Sequence, residues 1–271
     1  MLRRIAFLLY CLVFLLFTAS ADKNRDVVPV YNMPVPDALP QVPVPAKRVR
    51  LLSEPSLTGN VVHNTPSTRY GIDVSRYQHE IDWQEVSRDD RVSFVYLKAT
   101  ESTGLVDRTY ARNLREARKV GLPVGVYHFF SPTTPAHQQL ANFFSAVDPQ
   151  TQDLIPIVDV EVTPRRRSQL MPFLRRLRTF VDGVEKRFGC KPMIYTSQNF
   201  YITYLAGKFL DCPFMFARYA EDVPEVPDDV RFLVWQFTAS GRIRGIEGDV
   251  DRSCLMNPYT LEDIRYRPKR R

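Results

Sequence analysis

The stretch "IPIVDVEV", residues 155–162, combines the apolar pattern of a buried strand with two acidic side chains. Its β-branched residues form a nearly unbroken run, which is typical of a strand buried on both faces in a parallel sheet. Because residues two apart on a strand point to the same side, Asp159 and Glu161 are predicted to share one face. Two carboxyl groups in an apolar setting repel each other and are costly to bury. The pair therefore predicts either neutralising partners elsewhere in the chain or a site that uses their perturbed acidity.

Short apolar runs on both sides of this strand alternate with amphipathic segments. The further candidate strands are 70–75, 92–100, 122–130, 192–197, 213–219 and 232–237, and the candidate helices are 107–120, 136–147 and 166–188. Strands that alternate with helical crossovers indicate an α/β fold with parallel strands, and this many units predict a barrel. We therefore predict an irregular TIM-like (β/α) barrel that forms a single domain over residues 69–258.

The two ends of the chain differ in composition from this domain. A positive start, the apolar run "IAFLLYCLVFLLF" and an Ala-x-Ala pattern predict a signal peptide over residues 1–21. A retained membrane anchor is the alternative, because the apolar run is near the lower limit for spanning a bilayer. Residues 22–68 are rich in Pro and Val, which predicts an extended linker. Residues 259–271 are predicted to be a basic tail.

The positive charge of the chain lies mainly at its ends. The formal net charge is +7, and removal of the two arginines of the signal peptide lowers it from +7 to +5. Five basic side chains then lie in the last seven residues, so the body of the domain is near neutral. No pattern of basic and aromatic residues indicates nucleic-acid binding. Weak electrostatic contact of the tail with a membrane or wall surface is the charge-driven interaction that the sequence suggests.

Cysteine and histidine usage gives no sign of a metal site. Three of the four cysteines follow the predicted signal peptide, namely Cys190, Cys212 and Cys254. Export would allow a disulfide, and a bridge between Cys190 and Cys212 is a plausible pairing because each comes just before a predicted strand. No Cys/His spacing resembles a zinc site, so neither a metal nor another cofactor is expected. Nothing in the sequence requires more than a monomer.

Acidic, amide and aromatic side chains accumulate where the predicted strands end. In a parallel barrel, sites form at the carboxyl ends of the strands. The residues that share this position or follow it closely are Asp73, Tyr77, Glu101, Tyr127, Asp159, Glu161, Tyr195, Tyr219, Trp235 and Gln236. Together they predict an acidic groove lined by aromatic rings, which suits a carbohydrate because sugar rings pack on aromatics and their hydroxyls need polar partners. Paired carboxyl groups in such a groove indicate glycoside hydrolysis.

Seven stretches carry a resemblance to a known family: "GIDVSRYQHEIDW", "VSFVYLKATE", "GLPVGVYHFF", "IPIVDVEV", "KPMIYTS", "FARY" and "VWQFTASGRIRGIEGDVD". In this order they resemble the family 25 glycoside hydrolases, the bacterial and phage N-acetylmuramidases often called lysozymes. The similarity covers about residues 69–256. It implies a glycoside hydrolase barrel over the predicted domain. It also implies hydrolysis of the β-1,4 bond between N-acetylmuramic acid and N-acetylglucosamine in peptidoglycan glycan strands.

The resemblance also implies roles for individual residues. Glu161 resembles the general acid of the family, and Asp159 resembles its partner, which orients the substrate N-acetyl group or stabilises positive charge. Asp73 and Asp251 complete the acidic set. The candidate substrate-binding residues are Tyr127, Tyr195, Tyr219, Trp235, Gln236, Glu101 and Tyr77. A substrate-assisted retaining mechanism is the preferred expectation, and direct attack by Asp159 stays open.

Two other functions are compatible with the sequence. An endohydrolase of chitin-like polymers would use the same arrangement of acids. A cell-wall-binding module without turnover would use the groove alone, although binding does not require an intact acid set. The predicted signal peptide places the protein outside the cytoplasm, as a periplasmic, outer-surface or secreted protein.

Overall fold

The computed structural model describes residues 27–29, 69–164 and 166–267. The predicted signal peptide lies outside these residues, as does the predicted linker apart from residues 27–29. The strands are β1 (Val27–Pro29), β2 (Tyr70–Val74), β3 (Phe94–Glu101), β4 (Leu105–Val106), β5 (Val124–Phe129), β6 (Ile157–Asp159), β7 (Val162–Pro164), β8 (Met193–Ser197), β9 (Pro213–Ala217), β10 (Arg231–Gly241) and β11 (Val250–Leu255). The helices are α1 (Trp83–Ser87), α2 (Tyr110–Lys119), α3 (Ala136–Ala146), α4 (Leu170–Phe188) and the short α5 (Gln198–Phe200).

Eight of these strands close into a barrel. Their order is β2-β11-β10-β9-β8-β6-β5-β3, and β3 pairs back with β2. Neighbouring strands are parallel except at β11, which is antiparallel to both β10 and β2. The two-residue β4 extends the sheet beside β3, while β1 and β7 form a separate antiparallel pair. The predicted irregular β/α barrel is confirmed, and the antiparallel β11 is what makes it irregular.

Helix α4 shows why the sequence favours this arrangement. Its buried side chains recur every three or four residues and face the barrel: Phe173, Leu174, Leu177, Phe180, Val181, Val184 and Phe188. Such spacing places apolar residues on one side of a helix. The helix ends where Gly189 adopts a left-handed conformation with φ of 79°, which glycine allows without a steric cost.

The predicted strand over residues 155–162 is interrupted. Its central part forms β6, which ends at Asp159, and Val162 begins β7. Next to β5, the last backbone hydrogen bond runs from the Phe130 amide to the Asp159 carbonyl (2.9 Å). Next to β8, the last one runs from the Val160 amide to the Tyr195 carbonyl (2.8 Å). Beyond these contacts β6 pairs with no other described strand, so Glu161 lies in the connection. The prediction that both acids lie on one strand is therefore wrong, although the two carboxyl groups are still close to each other.

Two parts of the fold differ from the predicted elements. Strand β11, "VDRSCL", is not among the predicted strands, because Asp251, Arg252 and Ser253 interrupt the apolar pattern that marks a strand. The chain after residue 258 also packs on the barrel. There Ile155 donates its amide to the Ile264 carbonyl (2.9 Å), and the buried Tyr266 donates its hydroxyl to the Phe188 carbonyl (3.1 Å). The packed chain thus reaches residue 267, beyond the predicted boundary at 258.

The cysteines of the domain do not pair. Cys190, Cys212 and Cys254 are all free thiols, so the bridge suggested between Cys190 and Cys212 is not formed in this structure. Within the described part of the chain, no helix combines the length and the apolar character needed to cross a bilayer.

Candidate active site

Four carboxyl groups meet at the carboxyl ends of the parallel strands, and we call Asp73, Asp159, Glu161 and Asp251 the acid quartet. Asp73 lies on β2 directly opposite Asp251 of β11. Asp159 is the last residue of β6, between Phe129 of β5 and Tyr195 of β8. Asp159 is buried, whereas the other three acids are half-buried. The fold therefore brings all four predicted acids into one place from three different parts of the barrel.

Gln236 on β10 connects the two halves of the quartet. This buried amide accepts hydrogen bonds at Oε1 from the hydroxyls of Tyr195 and Tyr219, both at 2.8 Å. Its Nε2 donates to Asp73 Oδ2 at 2.9 Å. On the far side, Glu161 hydrogen-bonds to the Tyr195 side chain. The single proton of the Tyr195 hydroxyl is directed at Gln236, with the Glu161 carboxyl group as a competing acceptor, and the contact with Tyr195 favours the ionised form of Glu161.

Burial raises the pKa of Glu161 to about 7, with Asp73 adding to the rise and Tyr195 and Lys98 opposing it. Desolvation disfavours the charged form of a carboxyl group, and nearby negative charge does the same. Glu161 therefore retains a proton at pH values where an exposed glutamate has lost it. That is the property required of a general acid near neutral pH.

The other three acids resist ionisation for the same main reason. Burial raises the pKa of Asp73 to about 6, although the hydrogen bonds from Gln236 and Asp251 lower it. Burial and then the charge of Glu161 raise the pKa of Asp159 well above its usual range. Burial and then Asp73 raise the pKa of Asp251 in the same way. The quartet consequently holds fewer negative charges than four at neutral pH.

Asp159 has an oxygen directed to no protein donor. Its Oδ1 is buried and has no hydrogen-bond partner among the described residues. Buried polar atoms of this kind are uncommon in native structures. An N–H group of a bound molecule is the type of partner that a carboxylate oxygen can accept from.

Glu101, a predicted substrate-binding residue, is half-buried and makes an ion pair instead of standing alone. Its Oε2 lies 2.6 Å from Nζ of Lys98, and the Lys98 side chain is 9% exposed. Lys98 is absent from the predicted site residues. The sequence does contain a signal for this lysine. Lys98 lies inside the apolar run "FVYLKATE", two residues after Tyr96, and residues two apart on a strand point to the same side. Lys98 therefore shares one side of β3 with a core tyrosine.

The predicted aromatic residues divide into three groups. Tyr127 and Tyr195 lie inside the barrel beside the quartet, and burial followed by the charges of Asp73 and Asp159 raises the pKa of Tyr127 well above its usual range. Tyr219 and Tyr77 are exposed at the rim, at 42% and 48%. The Arg76 guanidinium lies 5.0 Å from the centre of the Tyr77 ring.

Trp235, the third group, is buried next to the end of β9. It is 2% exposed, and its indole Nε1 donates to the Arg218 carbonyl at 3.0 Å. Adjacent residues of a strand point to opposite sides, and Gln236 occupies the inner side. Contact of Trp235 with substrate therefore stays a prediction, to which its burial lends no support.

No metal-ligand arrangement accompanies the acids: the described residues contain no group of three or more His, Cys, Asp or Glu side chains placed to hold a metal ion. What the arrangement offers is a proton held on one carboxyl group, an adjacent carboxyl group with an unpartnered oxygen, and aromatic side chains around both.

Comparisons with known proteins agree with this geometry. The sequence matches Glycosyl hydrolases family 25 over residues 72–246. The protein YegX of Escherichia coli O6:H1 is 40% identical over 202 residues, which cover 73% of this chain and 72% of that protein. Lysozyme M1 of Streptomyces globisporus is 29% identical over 195 residues, 68% of this chain and 66% of that protein.

Solved structures give the same result for the fold. A family 25 glycosyl hydrolase from Bacillus anthracis superimposes with a TM-score of 0.64 at 28% identity. The matched region covers 72% of this chain and 90% of that one.

Proposed function

The chain belongs to glycosyl hydrolase family 25 and is a glycoside hydrolase of the lysozyme type, and from that premise we propose that it cleaves the β-1,4 bond between N-acetylmuramic acid and N-acetylglucosamine in peptidoglycan. The observation that supports this proposal is the acid quartet joined by Gln236, because it supplies a protonated carboxyl group beside a second acid. A glycosidase needs this pair to protonate the leaving oxygen and to support the cationic centre that develops on the sugar.

In the proposed mechanism, Glu161 is the general acid. It gives its proton to the glycosidic oxygen as the bond to the sugar breaks, and the resulting carboxylate then takes a proton from the attacking water. The Tyr195 hydroxyl holds the carboxyl group in position throughout. A pKa near 7 suits both steps, because proton transfer is efficient in each direction when the pKa lies near the working pH.

Asp159 assists on the other side of the sugar. In the substrate-assisted route, the acetamido oxygen of the substrate attacks the anomeric carbon, and ionised Asp159 accepts a hydrogen bond from the acetamido N–H. The unpartnered Oδ1 of Asp159 supports this role. A direct attack of Asp159 on the anomeric carbon is the alternative retaining route.

A wall-degrading enzyme must reach its substrate outside the cytoplasm. We propose that residues 1–21 direct export, that residues 22–68 act as a spacer, and that the protein works as a monomer on glycan strands. The basic residues at the carboxyl end add weak attraction to an anionic surface.

The test compares the protein with its Glu161→Gln variant on purified peptidoglycan. Fragments are reduced with borohydride and identified by mass spectrometry. Wild type is expected to release products ending in muramitol, and Glu161→Gln to release them about 10²–10⁴-fold more slowly, because the general acid is lost. Glu80→Gln is the matched control, since the side chain of Glu80 is 90% exposed and lies outside the quartet.

Each alternative outcome has a definite meaning. Products ending in glucosaminitol would move the cleaved bond, and equal cleavage of chitin oligomers would favour a chitin-like substrate. Binding of peptidoglycan without new reducing ends would indicate a wall-binding module. An unimpaired Glu161→Gln variant would refute the role of Glu161.

A further inference from the structure

Lys98 is a buried lysine at the edge of the acid quartet, and the proposed mechanism does not yet use it. Its ammonium group pairs with Glu101 at 2.6 Å and lies 4.9 Å from the centre of the Phe129 ring. Burying an ammonium group is costly unless a partner compensates it. Glu101 and the ring face provide that compensation, so the position of the charge is well defined.

Lys98 and Tyr195 lie on opposite sides of β6, the strand that ends at Asp159. Phe129 is the direct register neighbour of Asp159 across β5 and β6, and the ammonium group lies over Phe129. Glu161 instead contacts Tyr195, which belongs to β8 on the opposite side of β6. Lys98 is therefore on the Asp159 side of the pair, and Tyr195 is on the Glu161 side.

A positive charge on the Asp159 side favours one of two protonation states. Two close carboxyl groups that share one proton place it on the acid whose ionised form is less stabilised. The charge of Lys98 stabilises the ionised form of both acids, but its place over Phe129, the register neighbour of Asp159, directs it chiefly at Asp159. This placement favours ionised Asp159 and leaves the proton on Glu161.

We propose that Lys98 is a positioning residue that, held in place by Glu101, favours the ionised form of Asp159 against the burial that opposes it, and so favours the shared proton on Glu161. This inference deepens the proposed function and rests on it, because it explains how two adjacent acids acquire different roles. It also explains the presence of Glu101, which orients the ammonium group and moderates its effect on Asp159.

Other titratable groups around the pair do not replace Lys98. Those that face it from neighbouring strands are Asp73, Tyr127, Tyr195 and Asp251, all of them acids or hydroxyls. His128 lies close by on β5, but burial lowers its pKa to about 3, so it is neutral at working pH. Lys98 is thus the cation that acts on both Asp159 and Glu161 in the described site.

The experiment measures the titration of the pair directly. The carboxyl carbons of Asp159 and Glu161 are followed by ¹³C NMR against pH in the purified protein, and kcat against pH is measured on peptidoglycan fragments. Lys98→Met removes the charge, and its loss is expected to raise the midpoint of Asp159 by about one pH unit or more. Glu101→Gln removes a negative charge and is expected to move the same midpoint down.

Opposite shifts in the two variants are the result that supports the proposal. Lys98→Arg keeps the charge and is expected to retain the wild-type profile. Lys119→Met is the matched control, because Lys119 is exposed at the end of α2 and its loss removes the same charge. Unchanged midpoints, or shifts in one direction for both variants, would overturn the role of Lys98.

The readouts separate this inference from the proposed function. A wild-type protein that cuts no glycan would contradict the proposed function, while the NMR titration would still decide the effect of Lys98. A purely structural role would lower kcat at every pH without moving the profile. If Lys98→Met does not fold, then Lys98→Arg and Glu101→Gln still carry the test, since the inference requires an unmoved midpoint in the first and a lowered one in the second.

Discussion

Replacement of Gln236 by Met tests the connection between the two halves of the acid quartet. Methionine has nearly the same length and packs in an apolar setting, but it offers neither the acceptor used by the two tyrosines nor the donor used by Asp73. The barrel is expected to persist with the polar contacts removed. We therefore expect Gln236→Met to lower both stability and activity, each for a separate reason.

The loss of stability follows from the three hydrogen bonds. The bond from Tyr195 is buried and is worth about 1 kcal/mol, and the bond to the Asp73 carboxyl group about 1.5–3 kcal/mol. The bond from Tyr219 adds little, because that residue is 42% exposed and water can replace the lost acceptor. Gln236→Met is thus expected to lower the free energy of unfolding by about 2–4 kcal/mol at pH 7.

The loss of activity follows from the proton on Glu161. The Tyr195 hydroxyl already lowers the pKa of Glu161, and without Gln236 as the competing acceptor it donates to Glu161 alone, which stabilises the ionised form further and lowers the pKa of the proposed general acid. The alkaline limb of the pH profile of kcat is therefore expected to move to lower pH. Urea unfolding and pH profiles measure the two effects on one preparation.

Gln198→Met provides the matched control. Gln198 is half-buried at the barrel rim, where it bonds Arg218 and the Glu225 carbonyl, and neither contact involves the quartet. Because water can reach the exposed bond to Glu225 and the partly exposed Arg218, its replacement is expected to cost less than about 1 kcal/mol and to leave the pH profile in place. If Gln236→Met costs no more than this control, or leaves the profile unmoved, then Gln236 does not connect the site as described.

Two further expectations concern the free energy of unfolding. Because burial raises the pKa of Asp73 to about 6 and that of Glu161 to about 7, the folded protein binds protons more tightly than the unfolded chain. The free energy of unfolding is therefore expected to fall as the pH rises from about 4 to 7. Urea unfolding across that range measures this dependence, and Asp251→Asn is expected to flatten it. Gly245→Ala is expected to cost more than about 1 kcal/mol by urea unfolding, because φ is +81° there and the new Cβ would lie 2.3 Å from a backbone carbonyl.

Each of these two has a result that contradicts it. Stability that increases from pH 4 to 7 would mean that the acids of the folded protein are not protected from ionisation. For the glycine, the control is Gly121→Ala, where φ is +82° but no atom lies within 4 Å of the added Cβ. Equal costs for both alanine variants would show that the close contact at Gly245 carries no energy.

The barrel and the acids are accessible from the sequence because both leave local patterns. Buried parallel strands appear as apolar runs, and in such a fold the polar residues at their carboxyl ends are brought together by the topology. Asp73, Asp159, Glu161 and Asp251 follow this pattern or the family motif. Strand β11 escapes prediction because polar residues interrupt the apolar pattern that marks a strand.

The remaining differences depend on contacts between strands. The end of β6 at Asp159 is set by where β5 and β8 cease to pair with it, which the stretch 155–162 does not encode. Trp235 and Gln236 are neighbours and cannot both face inward, and only the register with β9 and β11 decides between them. The sequence therefore predicts which residues form the site, but the pairing of strands in the closed sheet decides which way each side chain points.

The pairing of β11 with β2 has a consequence for when the protein can act. This seam places Asp251 opposite Asp73, and the bond between Gln236 and Asp73 joins residues 163 positions apart in the chain. Contacts of such long range form only when most of the chain is in place. A barrel open along the seam holds Glu161 and Asp159 but lacks the other half of the quartet. The chain thus completes its acid site only when the last barrel strand is seated, so a partly folded barrel is expected to be inactive.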